Sequence, residues 1–198
     1  MLTALFHIDP ITFLRTAGYI GLFAIVFSES GILLGLFLPG DSLLFAAGLL
    51  ASQGLLQIWL VGTVCVVAAI LGDSFGYWVG SKAGSTLFNR PDSWLFKKEY
   101  VERTERFFEK YGARAIVVAR FVPIVRTIAP FTAGIGTMRY RTFLKYNIIG
   151  GFAWAVCMTA IGYFIGSAFP QSQHYLLFIS IGIIIVSCTP ILYGILKK

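Results

Sequence analysis

Arg120 and Arg126 lie in an otherwise apolar stretch, A-I-V-V-A-R-F-V-P-I-V-R-T-I-A-P-F-T-A-G-I-G-T-M-R over 115–139, with no acidic residue near them in sequence. A charged side chain at membrane depth costs about 3 kcal/mol or more, so it is paired, solvated in a cavity or bound to a ligand. Pro123 and Pro130 break the same stretch. The fitting counter-charges, Glu29 and Asp41, sit far upstream in a second broken apolar stretch, E-S-G-I-L-L-G-L-F-L-P-G-D-S. A fold for this chain must bring an acidic broken hairpin and a basic one together inside an apolar medium.

That medium is lipid. Hydrophobic residues make up 57% of the chain and charged ones 13%, with a mean hydropathy of +0.79, whereas a soluble domain carries about 25% charged residues. The chain reads as one all-α integral membrane domain over 1–198. Its net charge of +7 lies mainly in loops and suits anionic lipid surfaces. No dense basic run with interleaved aromatics points to nucleic acid. Cys65, Cys157 and Cys188 lie in apolar segments without paired spacing, and His7 and His174 stand far apart, so neither a metal site nor a cofactor is expected. The N-terminus lacks a basic region and a small-residue cleavage site, so no cleavable signal peptide is expected. Trp59, Trp78 and Trp94 read as anchors at the membrane interface.

Two uncharged stretches, 146–166 and 175–196, have the length a bilayer core demands of a helix. A third span covers 54–80 and carries Asp73; a fourth covers 10–28 and can continue past Glu29. In the run after Glu29, Pro39-Gly40-Asp41-Ser42 predicts a helix–turn–helix inside the membrane, since proline removes a donor and Asp or Ser can cap a new helix. In the second broken run, Pro123 and Pro130 predict an irregular segment over 124–129, tolerated at membrane depth only where protein or a wet cavity covers it.

The basic residues set the orientation. Eight of the sixteen Lys and Arg fall in 82–114, Arg139, Arg141 and Lys145 form a second cluster, and the chain ends in Lys197-Lys198, while 167–174 has none. Both termini, 82–114 and 139–145 are therefore expected on the cytoplasmic side. The stretch 115–138 then starts and ends there and is re-entrant, and the stretch around 29–53 is re-entrant from outside. The result is an inverted repeat of hairpin plus span, 29–80 followed by 115–166, with a connector over 81–114 and a last span over 175–196. Gly76-Tyr77 and Gly162-Tyr163 echo one another between the two spans. Inverted repeats with discontinuous helices are a transporter design. Within the connector, 92–112 predicts an amphipathic helix, lying on the interface or packed as a solvated connector.

The charged residues carry the candidate site. Arginine is always charged and its planar fork matches phosphate oxygens, so Arg120 and Arg126 are expected to hold a phosphate, with donors from a half-helix beginning near Pro130. The competing reading is a buried salt bridge to Glu29 or Asp41 that only fixes the hairpins. Glu29 and Asp41 read as proton-coupling partners whose protonation releases the phosphate, Asp41 also as a helix cap. Asp73 reads as structural, bonded to Tyr77 or nearby backbone, with a place in the cavity lining as the alternative. Pro39, Gly40, Pro123, Thr127, Pro130, Gly134 and Asn147 complete the hairpins and cavity.

E-S-G-x₇-P-G-D-S-L-L-F (29–45), G-D-S-F-G-Y-x-x-G (72–80) and R-F-V-P-I-V-R-T-I-A-P-F-T-A-G (120–134), with Met138, Asn147 and Gly150, resemble the DedA family of bacterial inner-membrane proteins. The resemblance implies a multi-pass inner-membrane protein that recycles a lipid carrier, undecaprenyl phosphate, by flipping it to the cytoplasmic leaflet. It also implies dependence on an acidic pair and an arginine pair, at Glu29 and Asp41 and at Arg120 and Arg126. The expected partners are an anionic polyprenyl phosphate, membrane lipids and protons. The apolar spans 146–166 and 175–196 could also pack two copies as a homodimer.

Two other transport readings stay open: a phospholipid scramblase, and a proton-coupled exporter of small molecules, against which the arginines speak if the cargo is cationic. An enzyme is not expected. An intramembrane aspartyl protease would need a tyrosine before one aspartate and a further glycine before the other, and neither is present at Asp41 or Asp73. A lipid phosphatase lacks a histidine-based constellation.

Overall fold

The computed structural model describes residues 10–32, 40–83, 106, 108–136 and 138–168. Pro39, Trp94, His7, His174, Cys188, most of the 92–112 segment and the span over 175–196 lie outside the described residues. The described elements are six α-helices: α1 (Pro10–Gly31), α2 (Gly40–Ser52), α3 (Ile58–Ala83), α4 (Ala115–Ala119), α5 (Pro123–Ile135) and α6 (Tyr140–Ala168). A short helical stretch at 108–111 and a 3-10 turn (Gly112–Arg114) precede α4.

Helix lengths separate two kinds of element. α3 and α6, with 26 and 29 residues, rise about 39 and 43 Å, more than the roughly 30 Å of a hydrocarbon core. α2 and α5 have 13 residues each, about 20 Å, and fall short of it. Only 33% of the span-length window of α3, and of α6, is buried. Trp59 (84% exposed), Phe164 (69%) and Phe152 (59%) point outward from these two helices. A soluble core helix would hide such side chains; here lipid covers them. α6 begins at Tyr140, six residues before the expected span, so Arg141 and Lys145 are helical and exposed. Their long stems let the charges reach the headgroup layer.

The second broken stretch departs from expectation. Residues 124–129 are helical, part of α5, and the break falls at 120–122. Val122 is extended (φ −118°, ψ 108°), Pro123 takes the first helical position, and the Arg126 N–H closes the first turn on the Val122 carbonyl at 3.0 Å. A proline fits there because that N–H has no helical partner anyway. Pro130 stays inside the helix, so the half-helix starts three residues before Arg126 and not at Pro130. α2 ends at a reversal in which Leu55 N–H bonds the Leu50 carbonyl and Gly54 N–H the Ala51 carbonyl, with Gly54 at φ +75°. That left-handed position suits glycine.

Packing is reciprocal. α2 lies against α6, α5 against α3, and α1 against α3. Backbones touch at small residues, the usual device in lipid. A Cβ on Gly162 would strike the Phe45 carbonyl, and one on Gly48 the Thr159 carbonyl. One on Gly80 would strike the Phe131 carbonyl, and one on Gly134 the Tyr77 carbonyl. The same residues repeat at a spacing of 86: F-A-A-G at 45–48 and F-T-A-G at 131–134, G-Y-W-V-G at 76–80 and G-Y-F-I-G at 162–166.

Two apolar cores result. One joins Leu22, Val26, Leu44, Val61, Cys65 and Trp154; the other joins Ile116, Val125, Ala129 and Phe143, with Tyr77 packed against it. Gly162→Ala should lower stability by about 1–3 kcal/mol through overpacking. Gly62→Ala, with nothing within 4 Å of its added methyl, should raise stability by up to about 1 kcal/mol. Thermal unfolding of the purified protein checks both.

Candidate functional site

Between the two cores runs a buried charged layer built from five helices and the α4–α5 break. Glu29 ends α1, Asp41 sits in the first turn of α2, and Asp73 lies midway along α3. Arg120 caps α4 and Arg126 closes the first turn of α5. Asn147 and Trp154 lie seven residues apart, two turns on one face of α6. Glu29, Asp73, Arg120, Arg126 and Asn147 are all buried.

The layer divides into two centres, one per arginine. Arg120 is paired with Asp73 and donates to Asn147 Oδ1 at 2.5 Å. Asn147 Nδ2 in turn donates to the Ile70 carbonyl at 3.0 Å. Gly150 and Gly151 of α6 leave room for the guanidinium; a Cβ on Gly150 would lie 3.1 Å from Arg120 Cδ. Asp73 was expected to bond Tyr77 or backbone, and instead neutralises Arg120. The Tyr77 hydroxyl donates to the Met138 carbonyl at 2.5 Å and its ring stacks on Phe143. Tyr77 and Gly134 therefore belong to packing, and Pro130 is buried against Gly76. Thr127 is buried beside Arg126 in sequence.

Arg126 has a different environment. Its Nη1 donates to Asp41 Oδ1 at 2.7 Å, and its Nη2 lies 3.5 Å from Glu29 Oε1. Nη2 makes no hydrogen bond among the described residues. The guanidinium sits over the Trp154 ring, 4.3 Å from its centroid. The Trp154 indole N–H donates to the same Asp41 oxygen at 2.7 Å. The Glu29 carboxylate packs against Gly40, where a Cβ would occupy the place of Glu29 Oε2, an oxygen without a hydrogen bond among the described residues. A side chain at residue 40 would therefore have to displace the Glu29 carboxylate. The Asp41 side chain is 47% exposed while that of Glu29 is 7% exposed, so Asp41 is the accessible acid of this centre.

The acidic and arginine pairs expected to face each other do so only around Arg126. Trp154 was missed. The signal was its position, mid-span and far from the helix ends where interfacial tryptophans sit, one heptad after Asn147.

The VTT domain profile matches residues 38–164. Protein DedA of Escherichia coli is 46% identical over 174 residues, 87% of this chain and 79% of that protein. An uncharacterized membrane protein of Mycobacterium leprae is 41% identical over 191 residues, 96% of this chain and 85% of its own length. Inner membrane protein YqjA of Escherichia coli is 35% identical over 150 residues, 75% of this chain and 67% of that protein. No solved structure matches the chain. The family expected from the three motifs is the family found, and its named relatives are membrane proteins. The chain belongs to the DedA family of membrane proteins and carries the VTT domain.

Proposed function

We propose that this protein is a transporter that flips an anionic polyprenyl phosphate, of the undecaprenyl phosphate class, across the cell membrane together with protons. One observation carries the reading. Arg126 is buried, keeps one amino group without a hydrogen bond among the described residues, and is held by an aspartate whose side chain is 47% exposed. A guanidinium so placed can trade its carboxylate for a phosphate.

The reading takes α2 and α5 as the inner halves of two re-entrant hairpins, and 29–80 and 115–166 as an inverted repeat. The reciprocal packing and the 86-residue echo support it. Two such hairpins meeting near the midplane, each resting on the span of the other half, suit alternating access.

Charge counting supports proton coupling over a passive scramblase. The layer holds three carboxylates, Glu29, Asp41 and Asp73, against two guanidiniums, Arg120 and Arg126. Adding a phosphate without a proton would leave a further net negative charge in lipid, at several kcal/mol. A proton on Asp41 or Glu29 loosens that acid's hold on Arg126 and makes room for the phosphate. Its departure returns the acid and expels the phosphate. This order is the reverse of the one expected from the sequence: protonation loads the site.

Two tests follow. In proteoliposomes, wild type should move undecaprenyl phosphate faster under an imposed proton gradient, and Arg126→Gln should stay folded and lose this movement. Arg120→Gln strands Asp73 and should destabilise by about 3–5 kcal/mol, whereas the double change Arg120→Met with Asp73→Leu should fold and keep measurable transport. Equal loss in both arginine variants with intact folds would return Arg120 to the phosphate site. Gly40→Ala should displace Glu29, lowering stability by about 1–3 kcal/mol and slowing transport, while Gly18→Ala, with open space around it, should leave transport unchanged and should not lower stability.

A further inference from the structure

Trp154 is buried, 1% exposed, in the middle of a helix whose outer face meets lipid. An indole N–H donates only, so it needs an acceptor whenever it is buried. Its acceptor is Asp41 Oδ1, which also takes the Arg126 Nη1 bond; both distances are 2.7 Å. Two buried donors from α5 and α6 thus converge on one anionic oxygen. That oxygen belongs to the one acid of the cluster with an exposed side chain.

We propose that Trp154 is a donor of the anion site: its indole N–H and Arg126 Nη1 form a fork for one phosphate oxygen, which the Asp41 carboxylate occupies in the unloaded state. This rests on the anionic-lipid reading above and adds a residue to it. Asp41 can leave because about half of its side chain is already exposed. Trp154 and Arg126 cannot be left empty, because each would strand a buried donor. Whatever replaces Asp41 must therefore bring an oxygen of the same charge, as a phosphate monoester does. Arg126 Nη2 supplies a further donor for a second phosphate oxygen. The ring under the guanidinium holds it in place through the exchange by cation–π attraction.

The test uses the full chain in nanodiscs, with farnesyl phosphate as a short polyprenyl monophosphate and inorganic phosphate as the headgroup alone. The chain has four tryptophans. Replacing Trp59, Trp78 and Trp94 by Phe leaves Trp154 as the only indole, read by ¹⁵N–¹H NMR. Farnesyl phosphate should shift this resonance saturably, and an unmoved resonance at saturation overturns the proposal. By calorimetry, Trp154→Phe, which keeps a ring and loses the donor, should bind farnesyl phosphate about tenfold or more weakly. Asp41→Asn should bind it more tightly. Wild-type affinity in Trp154→Phe with loss in Arg126→Gln would overturn the Trp154 role and leave the anion site standing. Wild-type affinity in Arg126→Gln would remove the anion site itself, and this proposal with it. Equal shifts with inorganic phosphate would support a fork that reads the headgroup alone; a shift with farnesyl phosphate only would support a fork that loads when the tail is also bound.

Discussion

Two guanidiniums buried between apolar cores set the terms for the rest of this fold. Neither can face lipid, so acids must be brought to them from three other helices. That demand explains why α2 and α5 are half-length: their first turns carry Asp41 and Arg126 to the same depth. It explains the small residues too, since the charges meet only if α2 closes on α6 and α5 on α3 at backbone distance. Gly150 and Gly151 open the groove in α6 that takes Arg120, and Gly40 opens the place that takes Glu29.

The two arginines do different work because their surroundings differ. Arg120 meets Asp73 and Asn147, and Asn147 is anchored on the α3 backbone. This pair ties α3, α6 and the α4–α5 break together, with Arg120 Nε left without a hydrogen bond among the described residues. Arg126 meets one tightly bonded but exposed acid, one more distant buried acid and an aromatic face. An anion can compete at the second centre without dismantling the first. In the proposed exchange the Arg120 pair stays in place while Asp41 gives way at Arg126.

Much of this was legible in the residues. Charged side chains in long apolar runs pointed to a membrane interior and to paired acids and bases, because the cost of a bare charge there leaves few alternatives. The three motifs pointed to the DedA family, and the match over 38–164 agrees. Pairing was less legible. Asp73 stands in a plain span with a tyrosine one turn on, and nothing local says that Arg120, 47 positions later, is its partner. The prolines misled in one respect. Pro123 and Pro130 read as two breaks, but a proline at a first helical position starts a helix as readily as it ends one. Trp154 was hidden because a tryptophan in an apolar helix reads as packing unless an acceptor is known to face it.

The central claim is that Arg126, and not Arg120, is the arginine that exchanges its carboxylate for a phosphate. Solid-state NMR in bilayers tests this directly, by measuring ³¹P dephasing of guanidinium ¹⁵N signals with a polyprenyl monophosphate bound. Each arginine signal is assigned by its conservative variant. Strong dephasing at Arg126 and none at Arg120 is the expected result. Dephasing at Arg120, or at neither, would contradict it.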